Sequence, residues 1–483
     1  MKKKNECKGY ITIYLSLVLT IMLSLILTLI EGIRLQTIRF QAECVTDIGL
    51  NSIFAEYSRE VLNQYGLLFI DSAYGYEPSD TDRTKSHLLQ YMNMNFTPPG
   101  RAAITNYKDL TAVHADNARF LQCAYASDEG GDVLAYQIMR YMEEKTGLSY
   151  VKRLLPNEAY VSENEQQSKE YDGQWQENKG IIDGILENLN ASRKEDEDPI
   201  GIDNPADYVE GYKGHSILDY AVREGQQVSR AGVNTNAYIS HRESQRGSGL
   251  FAEQRVPDGM IQRQVLREYL FEKCGYYQHE KEEGRLQYQI EYLLYGQESD
   301  YENLKKTAER ILAVRYPVNV TCLLSDGGKM AEAEELAFIV TSSILHPELT
   351  EAVKMSIIFA WAYAESIQDI RILFDGNKVP KVKTGDSFNI ELSELLNFAS
   401  HLSEYHSVSE GMEYRDFLEI FLFMNDETRT RFRFMDIVEM DIRKTQGNQY
   451  FAMDHCIYQV EAEINISSLY GYGCQITRKY SYE

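Results

Sequence analysis

Residues Tyr10 to Ile30 form a 21-residue run without charge, proline or glycine. A helix rising about 1.5 Å per residue carries such a run across about 30 Å, the thickness of a bilayer core, so a transmembrane helix is expected over 10–30. Lys2, Lys3, Lys4 and Lys8 precede it against Glu6 alone, whereas Glu31 and Arg34 nearly cancel beyond it. The positive-inside rule then makes residues 1–9 a basic cytoplasmic flank and places the rest of the chain, an ectodomain, on the outer side of the cell membrane. A cleaved signal peptide has a shorter apolar stretch and a small-residue cleavage site. Here the run ends Leu29-Ile30-Glu31-Gly32-Ile33, so an uncleaved, single-pass signal anchor is the expectation.

Inside the run, Thr12, Ser16, Thr20, Ser24 and Thr28 recur every fourth residue, and Gly32 continues the series. Small residues at this spacing let helix backbones approach closely in lipid, which makes the six a candidate helix-packing ridge. Its partners would be the lipid bilayer and other membrane helices, including copies of itself. In the competing reading each hydroxyl simply bonds the carbonyl one turn back. Four residues advance the angle by about 400°, so the ridge drifts by about 40° per step and suits a steep crossing or several neighbours.

Helical spacing continues through Ile33, Ile38, Ala42, Val45, Ile48, Ile53, Tyr57 and Val61, giving a stalk helix over 31–65 that prolongs the span. Gly66-Leu67-Leu68-Phe69-Ile70-Asp71 then reads as a buried strand. A long helix, half in the membrane and half packed on a following sheet, is the design of pilin-like proteins.

The residues Lys8-Gly9-Tyr10-Ile11-Thr12-Ile13-Tyr14, with Glu31-Gly32-Ile33-Arg34 after the apolar run, resemble the amino end of TadE- and TadG-type prepilin-related proteins. The resemblance implies peptidase processing between Gly9 and Tyr10. The sequence departs from the pattern at Tyr14, where those families carry a glutamate. Most of the chain is similar to an uncharacterised family of membrane-anchored proteins from clostridial Firmicutes, often encoded beside tight-adherence (Tad) pilus genes. The stretches that carry this are Gln41-Ala42-Glu43-Cys44, Asp47-Ile48-Gly49, Tyr65 to Asp71, Glu291 to Gly296, Asp300 to Leu304, Trp361 to Ser366, Gly376 to Lys383 and Tyr414 to Leu418. What the resemblance implies is a surface protein of a pilus assembly.

Beyond the stalk, a small α+β, pilin-like domain is expected over 66–150, a helical and linker region over 151–258, and a C-terminal α+β domain over 259–483. Asp80 or Thr81 caps a helix through Met92, and Pro98-Pro99-Gly100 breaks the chain. Residues 108–127 read as two short strands around Ala115-Asp116-Asn117, and Asp128 opens a helix through Met142. Residues 157–198 read as an exposed helical pair, with the acidic run 195–198 opening a linker. A strand over Pro317–Leu324, a helix from about Lys329, a buried helix from Pro347 to Ile370 and a hairpin over Arg371–Val382 follow. Alternation from Cys456 to Ile466 gives a long, half-buried antiparallel strand. The fold class is α+β: a long N-terminal transmembrane and stalk helix, then a mixed helical and antiparallel-sheet ectodomain.

The chemistry is sparse. The chain carries 73 acidic against 49 basic residues and a net charge of −24, which argues against nucleic acid as a partner. Cys44, Cys123, Cys274, Cys322, Cys456 and Cys474 lie outside the membrane and read either as buried thiols or as disulfides. His401 and His406 miss zinc-site spacing. Leu324 to Lys329 lacks the first glycine and the hydroxyl of a phosphate loop, so a helix cap is the better reading. Asp71-Ser72-Ala73-Tyr74-Gly75 does not satisfy the D-x-S-x-S metal motif, and Gly247-Ser248-Gly249 lacks nucleophile-elbow spacing. The 35 tyrosines suit either contact surfaces or core packing. No catalytic, cofactor or metal residue is assigned. The expected role is a non-enzymatic, pilin-like or accessory component of a Tad-type pilus or secretion assembly. The alternative is a membrane-anchored adhesin or surface binding module unrelated to pili.

Overall fold

The computed structural model describes residues 8–77, 80–97, 111–146, 158–193, 198–254, 259–402, 405–406 and 408–482. Lys2 to Lys4, Cys7, the Pro98-Pro99-Gly100 break and residues 195–197 of the acidic run lie outside them. The chain forms two compact units, one gathering residues 1–137, 243–256 and 442–483, the other 138–242 and 257–441.

In the first unit, helix α1 (Lys8–Phe54) runs unbroken for 47 residues. Its first half is almost entirely exposed to residue 33, whereas Ile38, Ala42, Val45, Leu50, Ile53 and Phe54 are buried in one core. The stalk ends eleven residues sooner than its periodicity predicts. Ser58 donates its backbone N–H to Phe69 at 2.8 Å, and Tyr57 bridges to Ile70, so the backbone here serves a strand and not a helix. The chain then restarts as α2 (Arg59–Tyr65), capped by Ser58 and closed by Gly66 at φ +71°.

Next come β1 (Ile70–Asp71), α3 (Thr81–Phe96), β2 (Val113–Tyr125) and α4 (Asp128–Thr146). Asp80 caps α3 by accepting from the Asp82 amide at 3.1 Å, as the sequence implies. The strands β3 (Cys456–Ser468) and β4 (Gly473–Ser481) complete an antiparallel sheet with β3 at its centre. One side of β3 pairs with β2, setting Ala118 opposite Ile464; the other pairs with β1 (Ile70 opposite Ile457) and β4 (Ile476 opposite Ile464). Residues 113–125 form one strand and not two: the polar Ala115-Asp116-Asn117 triplet shifts the register as a bulge without turning the chain. The strand predicted over Cys456 to Ile466 is β3, with Cys456, Tyr458, Val460, Ala462, Ile464 and Ile466 all buried; alternation is seen only beyond Val460, because Ile457 and Gln459 are buried as well.

The second unit is helical: α5 (Glu158–Ala191), α6 (Pro205–Tyr212), α7 (Leu218–Ala221), α8 (Met260–Lys273), α9 (Gln289–Tyr295), α10 (Asp300–Ser325), α11 (Gly327–Thr341), α12 (Pro347–Phe374), α13 (Phe398–His401), α14 (Tyr414–Met424) and α15 (Glu427–Arg443). The expected helical pair before the linker is the single helix α5, because Val161, Trp175 and Ile182 keep one buried stripe along it. Helix α12 is buried along most of its length and packs against α5, α10 and α11 around Trp361.

Two strand expectations fail in this unit. Pro317–Leu324 is helical, the end of α10, with Val320 and Leu323 buried against α12 and its neighbours. Eight residues are too few to separate a strand from a helix face, and tertiary packing overrides the proline. Arg371–Val382 is no hairpin either. Gly376 (φ +80°) donates to Leu373 and Asn377 to Ile372, both at 3.0 Å, so Asp375-Gly376-Asn377 closes α12 as a Schellman cap.

Candidate functional site

Among the described residues, α1 is the one helix long and apolar enough to cross a membrane. Thr12, Ser16, Thr20, Ser24, Thr28 and Gly32 all lie on its exposed first half. Ser16 Oγ donates to the Ile13 carbonyl at 2.9 Å, Thr20 to Ser16 at 2.8 Å and Thr28 to Ser24 at 2.8 Å. These three hydroxyl hydrogens are satisfied inside the helix, while each of their oxygens keeps lone-pair capacity towards a neighbour. A side chain at Gly9 or Gly32 would meet nothing within 4 Å, and Tyr10 is 82% exposed at the start of the helix.

Where α1 ends, Glu56 gathers three donors: Tyr74 Oη and Tyr91 Oη at 2.7 Å each, and His87 Nδ1 at 3.0 Å. Two more carboxylates hold turns in the same unit. Asp71 accepts from the Ala73 amide at 2.9 Å, and burial pushes its carboxyl up to about 6. Asp128 accepts from the amides of Gly247 at 2.7 Å and Gly249 at 3.2 Å. A side chain at Gly247 would collide with the Cys123 carbonyl, so Gly247-Ser248-Gly249 is built for close approach to β2, where Ser248 exchanges hydrogen bonds with Cys123. That is its role in the fold, and it involves no nucleophile.

The second unit contains a charge cluster that the sequence reading missed. Glu365 and Asp369 lie one turn apart on α12, and both are fully buried. Lys383 Nζ sits between them, 2.5 Å from Glu365 Oε1 and 2.6 Å from Asp369 Oδ1. Asp369 Oδ2 accepts from Arg315 Nε at 2.9 Å and Asn319 Nδ2 at 3.1 Å. Glu365 Oε2 accepts from the backbone amides of Ile390 at 2.8 Å and Asn389 at 3.1 Å. Burial pushes the Glu365 carboxyl up despite Lys383. Burial acts on Asp369 too, but there the Arg315 and Lys383 charges prevail and hold it below the usual range. The signal was present in the sequence, since Glu365 and Asp369 are the two carboxylates within the apolar stretch of α12.

A cleft of about 990 Å³ in this unit is lined by Arg223, Arg230, Arg371, Tyr301, Gln226 and Ser400 among others. Arg223 Nε is 2.8 Å from Asp375, and Arg371 Nη1 donates to the carbonyls of Tyr220 and Val222 at 2.9 Å. Two of the arginines are thus already engaged in closing the loop after α7.

The remaining motifs resolve as structure. Asp326 caps α11, accepting from the amides of Gly328 at 2.9 Å and Lys329 at 3.1 Å. His401 Nδ1 lies 3.3 Å from Glu394. The tyrosines of the 276–295 stretch belong to the core: Tyr277 packs on Tyr288 at 5.5 Å and on Phe374 at 4.7 Å between ring centroids. Cys44, Cys123, Cys274, Cys322, Cys456 and Cys474 are free thiols, and Cys322 lies on a helix where a strand was expected. No group of three or more His, Cys, Asp or Glu side chains is placed to hold a metal ion among the described residues.

Residues 194–468, more than half of the chain, match a family of unknown function (DUF5702). No curated protein and no solved structure matches.

Proposed function

We propose a role for this chain, which belongs to the DUF5702 family of unknown function: a single-pass, membrane-anchored extracytoplasmic protein that acts by protein contacts, as a pilin-like or accessory component of a Tad-type pilus or secretion assembly. The observation that carries this reading is the division of α1. One continuous helix is apolar and exposed through residue 33, then buries Ile38 to Phe54 against an antiparallel sheet. Leaving a large apolar side chain in water costs about 1.5–3 kcal/mol, and the first half of α1 carries many of them. A bilayer removes that cost, and the continuous helix then ties the span rigidly to the folded unit outside. The basic flank at Lys2 to Lys4 favours an inside N-terminus, and the resemblance to proteins encoded beside Tad loci of clostridial Firmicutes supplies the assembly.

The reading is non-enzymatic. The charge cluster around Lys383 is internally paired, and the ridge Thr12 to Gly32 offers a surface for other membrane helices. Photo-crosslinking from Ser16, Thr20 and Ser24 in cells that make the pilus tests it. Adducts to a pilus or secretion component, or to a second copy within that assembly, are expected. Absence of any pilus component among the adducts would refute the assignment.

A further inference from the structure

The cluster around Lys383 has the parts of a bond-forming site. An amine, a carboxyl carbon and a second carboxylate meet in a core without bulk water, held by partners that leave them little freedom. Glu365, Asp369 and Arg315 are fully buried, and the Lys383 side chain is 1% exposed. Four charges in such a place are expensive to keep, and their mutual attraction only partly offsets the desolvation.

We propose that Lys383 and Glu365 are joined by an intramolecular isopeptide bond that the folded chain forms by itself, with Asp369 as the base. The roles follow from the contacts. Asp369 is held as a carboxylate by Arg315 and Asn319 on one oxygen, while its other oxygen faces Lys383 Nζ. Glu365 keeps Oε1 beside Nζ and aims Oε2 at the Ile390 amide at 2.8 Å, while the Asn389 amide is shared between the two oxygens at 3.0 and 3.1 Å. These two N–H groups form a cradle for the oxyanion of a tetrahedral adduct, and hydrogen bonds of this kind stabilise acyl-transfer intermediates. The upward push of burial on Glu365 favours its acid form, which is the electrophilic one.

The step balances without any added reagent. The Lys383 ammonium passes a proton to the Glu365 carboxylate it touches, and the neutral amine attacks Cδ of the acid so formed. A C–N bond forms, and Asp369 takes the proton that the nitrogen of the adduct must lose. Asp369 hands that proton to the departing hydroxyl as the C–O bond breaks, and water leaves. Lys383 lines a cavity of about 520 Å³ together with Tyr160 and Cys322, which gives that water an exit. Condensation removes one positive and one negative charge from the core and leaves Arg315 paired with Asp369. Holding the reactants in contact supplies the effective concentration that makes amide formation favourable in a dry site. The bond ties α12 to the segment around residues 383–390, and it does not depend on the pilus assignment.

Mass spectrometry of the full-length protein, digested after denaturation, tests the proposal. The expected product is a branched peptide linking Lys383 to Glu365, lighter than its two linear parents by one water. Lys383→Arg keeps the charge and is expected to abolish the branch. Asp369→Asn is expected to slow its formation about 100-fold or more. Recovery of Lys383 and Glu365 only in linear peptides of full mass would overturn the proposal. A branch that maps to Asp369 would overturn the pairing, and formation at an unchanged rate in Asp369→Asn would overturn the role of the base.

Discussion

The rings of Phe54 and Tyr480 pack with centroids 4.7 Å apart, joining the last turn of α1 to the edge strand β4. Tyr482 reinforces the joint: its ring lies 4.9 Å from Phe54, and its hydroxyl donates to the Phe54 carbonyl at 2.8 Å. These residues are more than four hundred positions apart in the chain, so the helix becomes a fixed part of the sheet unit only once β4 is in place.

Phe54→Ala is therefore expected to destabilise the sheet unit by about 3 kcal/mol, because it empties a site between two aromatic rings. Urea unfolding of the full-length protein in detergent, followed by far-ultraviolet circular dichroism, measures this. A loss below about 1 kcal/mol would show that the joint is not a packing anchor.

Glu291 gives the pH dependence a definite sign. It is fully buried, accepts from the Tyr277 amide at 2.9 Å and Tyr414 Oη at 2.7 Å, and burial pushes its carboxyl up to about 7. The native state thus holds its proton more tightly than the unfolded chain. The associated stability is present in full below about 4.5, falls as pH rises, and is lost above about 7, a change of up to about 3 kcal/mol. Glu291→Gln is expected to flatten this slope in denaturant titrations between about pH 4.5 and 7, the window set by that shift. An unchanged slope would locate the titration elsewhere.

The elements that the sequence announces are those whose pattern is long. The apolar run 10–30, the alternation of Cys456 to Ile466 and the extended apolar face of α12 each repeat often enough to fix their type. The failures are short. Eight residues from Pro317 alternate by chance on a helix, and Asp375-Gly376-Asn377 serves a helix end as readily as a hairpin. The sheet itself was only half legible, because β1 and β2 find their partner β3 more than 300 residues later, and no local signal encodes that pairing. The Lys383 cluster escaped for the same reason: Arg315, Glu365, Asp369 and Lys383 meet only when α10, α12 and the following segment pack together.

The thiols provide a separate check. Burial pushes Cys274 and Cys123 up to about 12, which leaves little thiolate at neutral pH. Both are expected to resist iodoacetamide in the folded protein and to react fully in urea without reductant. Labelling in urea that requires prior reduction would mean that disulfides are present.

Charge placed within the span is expected to disrupt anchoring. Leu19 and Leu23 are exposed on the first half of α1, and an arginine at the centre of a span costs about 3 kcal/mol in membrane insertion. The double variant Leu19→Arg/Leu23→Arg is expected to move from the carbonate-resistant membrane fraction to the soluble or degraded fraction. Full retention in the membrane would contradict a lipid-facing span.

The most direct measurement of the central claim is protease accessibility in intact spheroplasts carrying a tag at each end of the chain. An anchor with its ectodomain outside predicts loss of the C-terminal tag and of the folded units, while a short fragment containing residues 1–30 stays membrane-bound and protected. Protection of the C-terminal tag until the membrane is dissolved, or release of the whole chain without detergent, would contradict it.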